Sequence, residues 1–89
     1  MPARVDTYAL GPGRAPAMES MIKNVFKDVR EHWYVSILGS QDNPSRWRMT
    51  IESPDGQQTT RNLDSKCGEH RTEYLKQHLE MALARWEEK

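Results

Sequence analysis

Cys67, His70 and Glu73 come closest, by type and spacing, to a set of residues that could do chemistry. A thiolate, an imidazole and a carboxylate spaced three apart are all groups that zinc accepts. A structural zinc site needs four ligands, typically in two close pairs. Cys67 is the single cysteine, and the only other histidines are His32 and His78. Cys67 and His70 could also act as nucleophile and base, because the start of the following helix favours a thiolate. No third group is readable that would orient the histidine, and no oxyanion device. No phosphate loop, dinucleotide fingerprint or hydrolase triad is present. The expectation is a non-catalytic protein with no metal and no cofactor, in which Cys67 is a bystander thiol.

A second set of residues has the chemistry of binding. Arg46, Arg48 and Thr50 alternate with Trp47, Met49 and Ile51, so they share one face of a strand. Tyr34 and Leu38 fall on the corresponding face of the preceding strand. Guanidiniums beside an aromatic ring can stack on bases, grip phosphates or meet an acidic protein surface. Asp42, Glu52 and Asp55 lie near the ends of the same hairpin and dilute its positive potential. Acidic and basic residues balance at 13 each, whereas nucleic-acid binders usually carry a basic excess. The expected partner is another protein, met through Tyr34, Leu38, Arg46, Arg48, Thr60 and Arg61. The same surface, or an exposed strand edge, could pair two copies of the chain. Nucleic-acid binding is the alternative.

The ribbon from Trp33 to Glu52 must position these groups. Residues 33–39 alternate Trp33, Val35 and Ile37 against Tyr34, Ser36 and Leu38. Residues 46–52 alternate Trp47, Met49 and Ile51 against the arginines. Both segments read as half-buried strands. Ser53-Pro54-Asp55-Gly56 is a turn, and residues 57–63 form a third, polar strand suited to an edge. Its register has two readings. A three-residue loop with a glycine bulge opposes Ser53 to Gln57 and places Thr59, Arg61 and Leu63 on the Trp47 face. A loop one residue longer places Gln58, Thr60 and Asn62 there.

Helical stripes flank the ribbon. Over residues 17–31, Met18, Met21, Ile22, Val25, Phe26 and Val29 follow helical spacing. Over residues 69–88, Leu75, Leu79, Ala82, Leu83 and Trp86 do the same. The expected core joins Ile22, Val25, Phe26 and Val29 to Leu75, Leu79, Leu83 and Trp86. They meet over Trp33, Val35, Ile37, Trp47, Met49 and Ile51. Residues 1–16 hold three of the five prolines and the break Gly11-Pro12-Gly13. They read as a flexible arm, with a short edge strand at 5–10 as the alternative.

The fold class is therefore α+β: helix, three-stranded antiparallel meander, helix, both helices on one face, after an irregular arm. Residues 17–89 form a single domain, since 89 residues supply one core and no more. No apolar run nears the roughly 20 residues of a membrane helix. The single thiol and the lack of an apolar leader segment give a cytoplasmic expectation.

The order helix–three strands–helix over residues 17–88 resembles the double-stranded-RNA-binding domain and the small RNA-cleaving toxins built on that fold. The likeness is one of topology. Where the RNA-binding family clusters lysines at the start of its second helix, this chain reads Lys66, Cys67, Gly68, Glu69, His70, Arg71. Its Gly-Pro-x-His turn is replaced by Gly39-Ser40-Gln41-Asp42, and the toxins' histidine after Gly-Ser by Gln41. The resemblance implies duplex binding as the alternative function. Size and the lack of readable chemistry point first to a small accessory or inhibitor protein of bacterial or phage type.

Overall fold

The computed structural model describes residues 3–11 and 13–87. It contains strand β1 (Ala3–Tyr8), helix α1 (Arg14–Val25), strands β2 (Trp33–Leu38), β3 (Arg46–Glu52) and β4 (Gln58–Asp64), a 3-10 turn (Ser65–Cys67) and helix α2 (Thr72–Glu87). The four strands form one sheet in the order β1-β2-β3-β4. β1 runs parallel to β2, with Ala3 beside Trp33 and Tyr8 beside Leu38. The remaining pairs are antiparallel. The class is α+β, but the sheet is four-stranded and mixed where a three-stranded antiparallel meander was expected.

The irregular arm is the main correction. Residues 3–8 are a strand, displaced from the alternative at 5–10, and the boundary drawn after residue 16 falls inside α1. Ala3, Val5 and Thr7 share the face of Trp33, Val35 and Ile37. Their small and polar side chains give a weak apolar signal, and a parallel partner lies a whole helix away in sequence. Leu10, just past the strand, is buried among the core residues. Gly13, at a φ of 72°, leads into α1, and Pro16 stands in the first turn, where its missing N–H costs nothing. The helix stops at Val25 rather than at residue 31. Phe26 and Val29 keep the stripe's spacing in a turn, closed by the Val29 N–H donating to the Phe26 carbonyl at 3.1 Å. That turn lets Phe26 meet Trp33, their ring centroids 5.4 Å apart.

The hairpin between β3 and β4 takes the shorter of the two registers. Ser53 N–H donates to the Gln57 carbonyl at 2.9 Å, and Gly56 N–H to the Ser53 carbonyl at 3.0 Å. Gly56 sits at a φ of 89°, the left-handed position that a glycine bulge requires. Leu63 therefore opposes Trp47, and Arg61 opposes Met49.

One cluster holds the fold together. Met18, Ile22 and Phe26, together with Leu75 and Leu79 of α2, are buried with the inward residues of β2 and β3. Ala3, Leu10 and Leu63 are core residues outside the two stripes, and Met18, on the α1 stripe but outside the expected core, is buried with them. Val25, Val29, Leu83 and Trp86 pack against the cluster half-buried rather than within it. Both helices thus serve one sheet face. On the other face Leu38, Arg48, Thr60 and Asn62 are all exposed.

The end of β1 locks onto the end of β2 at Gly39. Its N–H donates to the Tyr8 carbonyl at 2.6 Å. A Cβ on Gly39 would stand 2.0 Å from the Ala9 carbonyl oxygen, a backbone atom that cannot swing aside. Gly39→Ala is expected to lower stability by about 1–3 kcal/mol, as overpacking does. A urea midpoint equal to that of the parent chain would rule this out.

Candidate binding surface

The bare sheet face carries four rows of side chains, set by the strand register. Tyr8, Leu38, Arg48 and Asn62 form one row across the sheet. Asp6, Ser36, Thr50 and Thr60 form the next, and Arg4, Tyr34, Glu52 and Gln58 the third. Arg46 and Asp64 extend the face beyond the first row.

Two of these rows satisfy themselves. Tyr34 is half-buried, and its hydroxyl donates to Asp6 at 2.7 Å. The Arg4 guanidinium lies 5.7 Å from the Tyr34 ring centroid and 4.0 Å from Asp6. The hydrogen bond to Asp6, then burial, pushes the Tyr34 phenol above its usual range. Thr50 and Thr60 hydroxyls bond across strands at 3.2 Å, and Gln58 donates to Glu52 at 3.4 Å. Tyr34 thus clamps β1 to β2 rather than standing ready for a partner.

The first row is different. Tyr8 is 61% exposed and Leu38 43%, and they lie side by side. Arg46 and Arg48 are exposed beside them, with no ion-pair partner among the described residues. Leu38, Arg46, Arg48 and Asn62 line one shallow pocket with Gly39, Ser40 and Trp47. Of the six expected contact residues, Leu38, Arg46 and Arg48 come together here. Thr60 lies one row away and Tyr34 two. Arg61 is on the opposite, helix-facing side of the sheet, because the shorter hairpin register turns it there. Tyr8 was missed. Its only sequence signal was the alternation of residues 5–10, set inside a segment rich in proline and glycine.

No protein-family model, curated protein or solved structure matches this chain.

His70 is turned inward and lies flat on Trp47, centroids 3.7 Å apart at an interplanar angle of 15°. Its Nε2 sits 3.3 Å from the Leu63 carbonyl and donates to it. Cys67 is exposed on the 3-10 turn. Glu69, one residue before His70, is engaged locally, accepting from the Asp64 N–H at 2.9 Å and from the Tyr74 hydroxyl at 2.9 Å. Among the described residues no three of His, Cys, Asp and Glu converge to hold a metal ion. No helix is long and apolar enough to cross a membrane, again among the described residues.

Proposed function

We propose that this chain is a small, non-catalytic binding protein that works by contacting another protein through the Tyr8–Leu38–Arg46–Arg48 end of its bare sheet face. The observation that carries this reading is the contrast between rows. Two rows of the face spend their polar groups on each other, whereas this end presents two large apolar side chains and two guanidiniums without ion-pair partners among the described residues. Charge complementarity defines the occupant: a protein surface with an apolar side chain flanked by carboxylates. Leu38 and Tyr8 would supply the desolvated centre and the arginines the charged rim. An accessory or inhibitor protein acting in the cytoplasm fits this chemistry, since such a protein needs one good surface and no reaction of its own.

The test is capture from the native cell with parent chain and with Arg46→Glu plus Arg48→Glu, followed by binding of the captured protein in pure form. Both arginines are exposed, so the variant keeps the fold. Reversing two charges opposite carboxylates is expected to weaken binding at least a hundredfold. Equal affinity of the two chains would remove this surface from consideration. Light scattering on the pure parent chain separates the alternative in which the same patch pairs two copies.

A second reading has its own observation. Arg14, Lys66 and Arg71 line one pocket of about 290 Å³ with His70, beside Trp47, whose ring both His70 and Arg14 approach. Three cations around one cavity favour a phosphate, and so duplex nucleic acid. Under that reading Arg14→Glu with Arg71→Glu abolishes salt-dependent retention of labelled duplex RNA or DNA. No retention of the parent chain at low salt would end it.

A further inference from the structure

One groove lies apart from both of these surfaces. Between β4 and α2 lies a cavity of about 210 Å³. Trp33, Ile51 and Trp86 form its apolar walls, and Arg61 from β4 and Arg85 from α2 both line it. Among the described residues no carboxylate lines it. His78 lines it too and is pushed below its usual range, first by burial and then by the Arg61 charge. Neither arginine has an ion-pair partner among the described residues. The indole N–H of Trp33, a residue only 3% exposed, is the one buried side-chain polar atom without a hydrogen-bond partner among those residues. Met81, 50% exposed, stands at the mouth.

The strand beside this groove is an open edge. β4 is last in the sheet, and its residues 58–62 are all exposed. The hairpin bond from Ser53 to Gln57 fixes which of its amides are paired. In an antiparallel ladder every second residue turns its N–H and C=O to the neighbouring strand. Counting from Gln57, residues Thr59, Arg61 and Leu63 face β3. Gln58, Thr60 and Asn62 therefore present their backbone groups outward. A row of free backbone donors and acceptors is a template for another strand.

We propose that the β4 edge and the groove behind it receive an extended peptide of a partner protein, which joins the sheet as a fifth strand. Alternate side chains of such a strand project on the helix side, where the groove lies. A carboxylate there meets Arg61 and Arg85, and an apolar neighbour two residues along packs against Met81 and Trp86. The cavity is smaller than the roughly 300–1,000 Å³ typical of drug-sized ligands. That size suits one or two side chains, with affinity supplied mainly by the backbone ladder. This site is independent of the bare sheet face, so Arg46→Glu with Arg48→Glu leaves it intact.

A displayed library of random decapeptides, panned on the full chain, tests the proposal. Enriched peptides are expected to carry Asp or Glu two residues from an apolar side chain. They should bind Arg61→Glu with Arg85→Glu at least tenfold more weakly, and slow amide exchange at Gln58, Thr60 and Asn62. Thr60→Pro supplies a second check. It removes an outward N–H while sparing the backbone bonds to β3, though it also removes the hydroxyl contact with Thr50, and should weaken the same peptides at least tenfold; Thr60→Val, which loses that hydroxyl alone, should bind them as the parent does. Enriched peptides without an acidic residue, or no enrichment at all, would overturn the proposal. So would acidic peptides that bind Thr60→Pro unchanged, since the groove would then hold a carboxylate without a strand. Sodium glutamate matching the peptides' effect on amide exchange would do the same. A parent dimer that dissociates in Thr60→Pro would assign the edge to a second copy and also overturn it.

Discussion

A chain lacking residues 1–10 is expected to lose its cooperative fold. β1 forms the whole free side of β2, six residue pairs long. Its removal takes Ala3 and Leu10 out of the core, and with them the half-buried Val5 that packs against it. Losing one buried leucine side chain costs about 2–5 kcal/mol where the site cannot collapse. A domain of this length has only about 5–10 kcal/mol of stability in total. The loss does not end with side chains. β2 would become an edge, its backbone groups on that side unpaired, beside Val35 and Ile37, which are fully buried in the complete chain. The measurements are near-ultraviolet circular dichroism, which reads the packing of the tryptophans, and the urea transition. A truncated chain with a sharp transition near the parent midpoint would mean that residues 3–8 add nothing, as a flexible arm would. Leu10→Ala gives the graded version, a loss of about 2–4 kcal/mol with the fold retained.

The same strand shows where the sequence is legible and where it is not. The β2–β3 hairpin announces itself, because its apolar alternation is strong and its partner is adjacent. Trp33, Val35, Ile37, Trp47, Met49 and Ile51 face the core as their period requires. β1 has the same period with weaker side chains, and its parallel partner lies beyond α1. Periodicity reports which residues are buried but not what they lie beside. The register of β4 was open for a different reason. Its side chains are polar on both faces, so only the turn could decide, and Gly56 in its left-handed conformation does. That single residue determines which side of the sheet Arg61 occupies. It moved Arg61 out of the expected surface and into the groove beside α2. The expected surface itself was half legible. Arg46, Arg48 and Leu38 followed from strand parity, but Tyr8 depended on β1. The engagement of Tyr34 by Asp6 is a contact between strands whose pairing no local pattern revealed.

The largest single-residue effect is expected at Trp47. Its ring is 3% exposed, lies flat under His70, and has the Arg14 guanidinium 5.9 Å from its centroid. It opposes Leu63 across the β3–β4 ladder, and Leu63 in turn accepts the His70 hydrogen bond. Trp47 is thus where the sheet, the start of α1 and the approach to α2 meet. Trp47→Ala is expected to cost about 3–5 kcal/mol, the range for a buried aromatic. Trp47→Phe keeps a ring under the imidazole and should cost well under half of that. His70 gives the site a pH signature. Burial, as the leading cause, lowers its affinity for a proton, and Arg14 adds to this, while the Leu63 carbonyl, Asp64 and Glu69 oppose it. A histidine whose folded pKa is depressed leaves stability untouched above the unfolded value near 6.5. Below that value the unfolded chain takes up a proton that the native chain refuses, so stability falls as pH drops from about 6.5 towards the folded pKa, by at most about 1.4 kcal/mol per unit. His78 is shifted in the same direction, again chiefly by burial. The comparison that isolates His70 is the parent chain against His70→Gln, each unfolded in urea at pH 7.5 and pH 5.5. His70→Gln is expected to be the less stable at pH 7.5, since the stack on Trp47 is lost, and to lose less than the parent on acidification. Equal acid losses in the two chains would mean that the imidazole titrates alike folded and unfolded. That outcome would contradict its place between Trp47 and the Leu63 carbonyl.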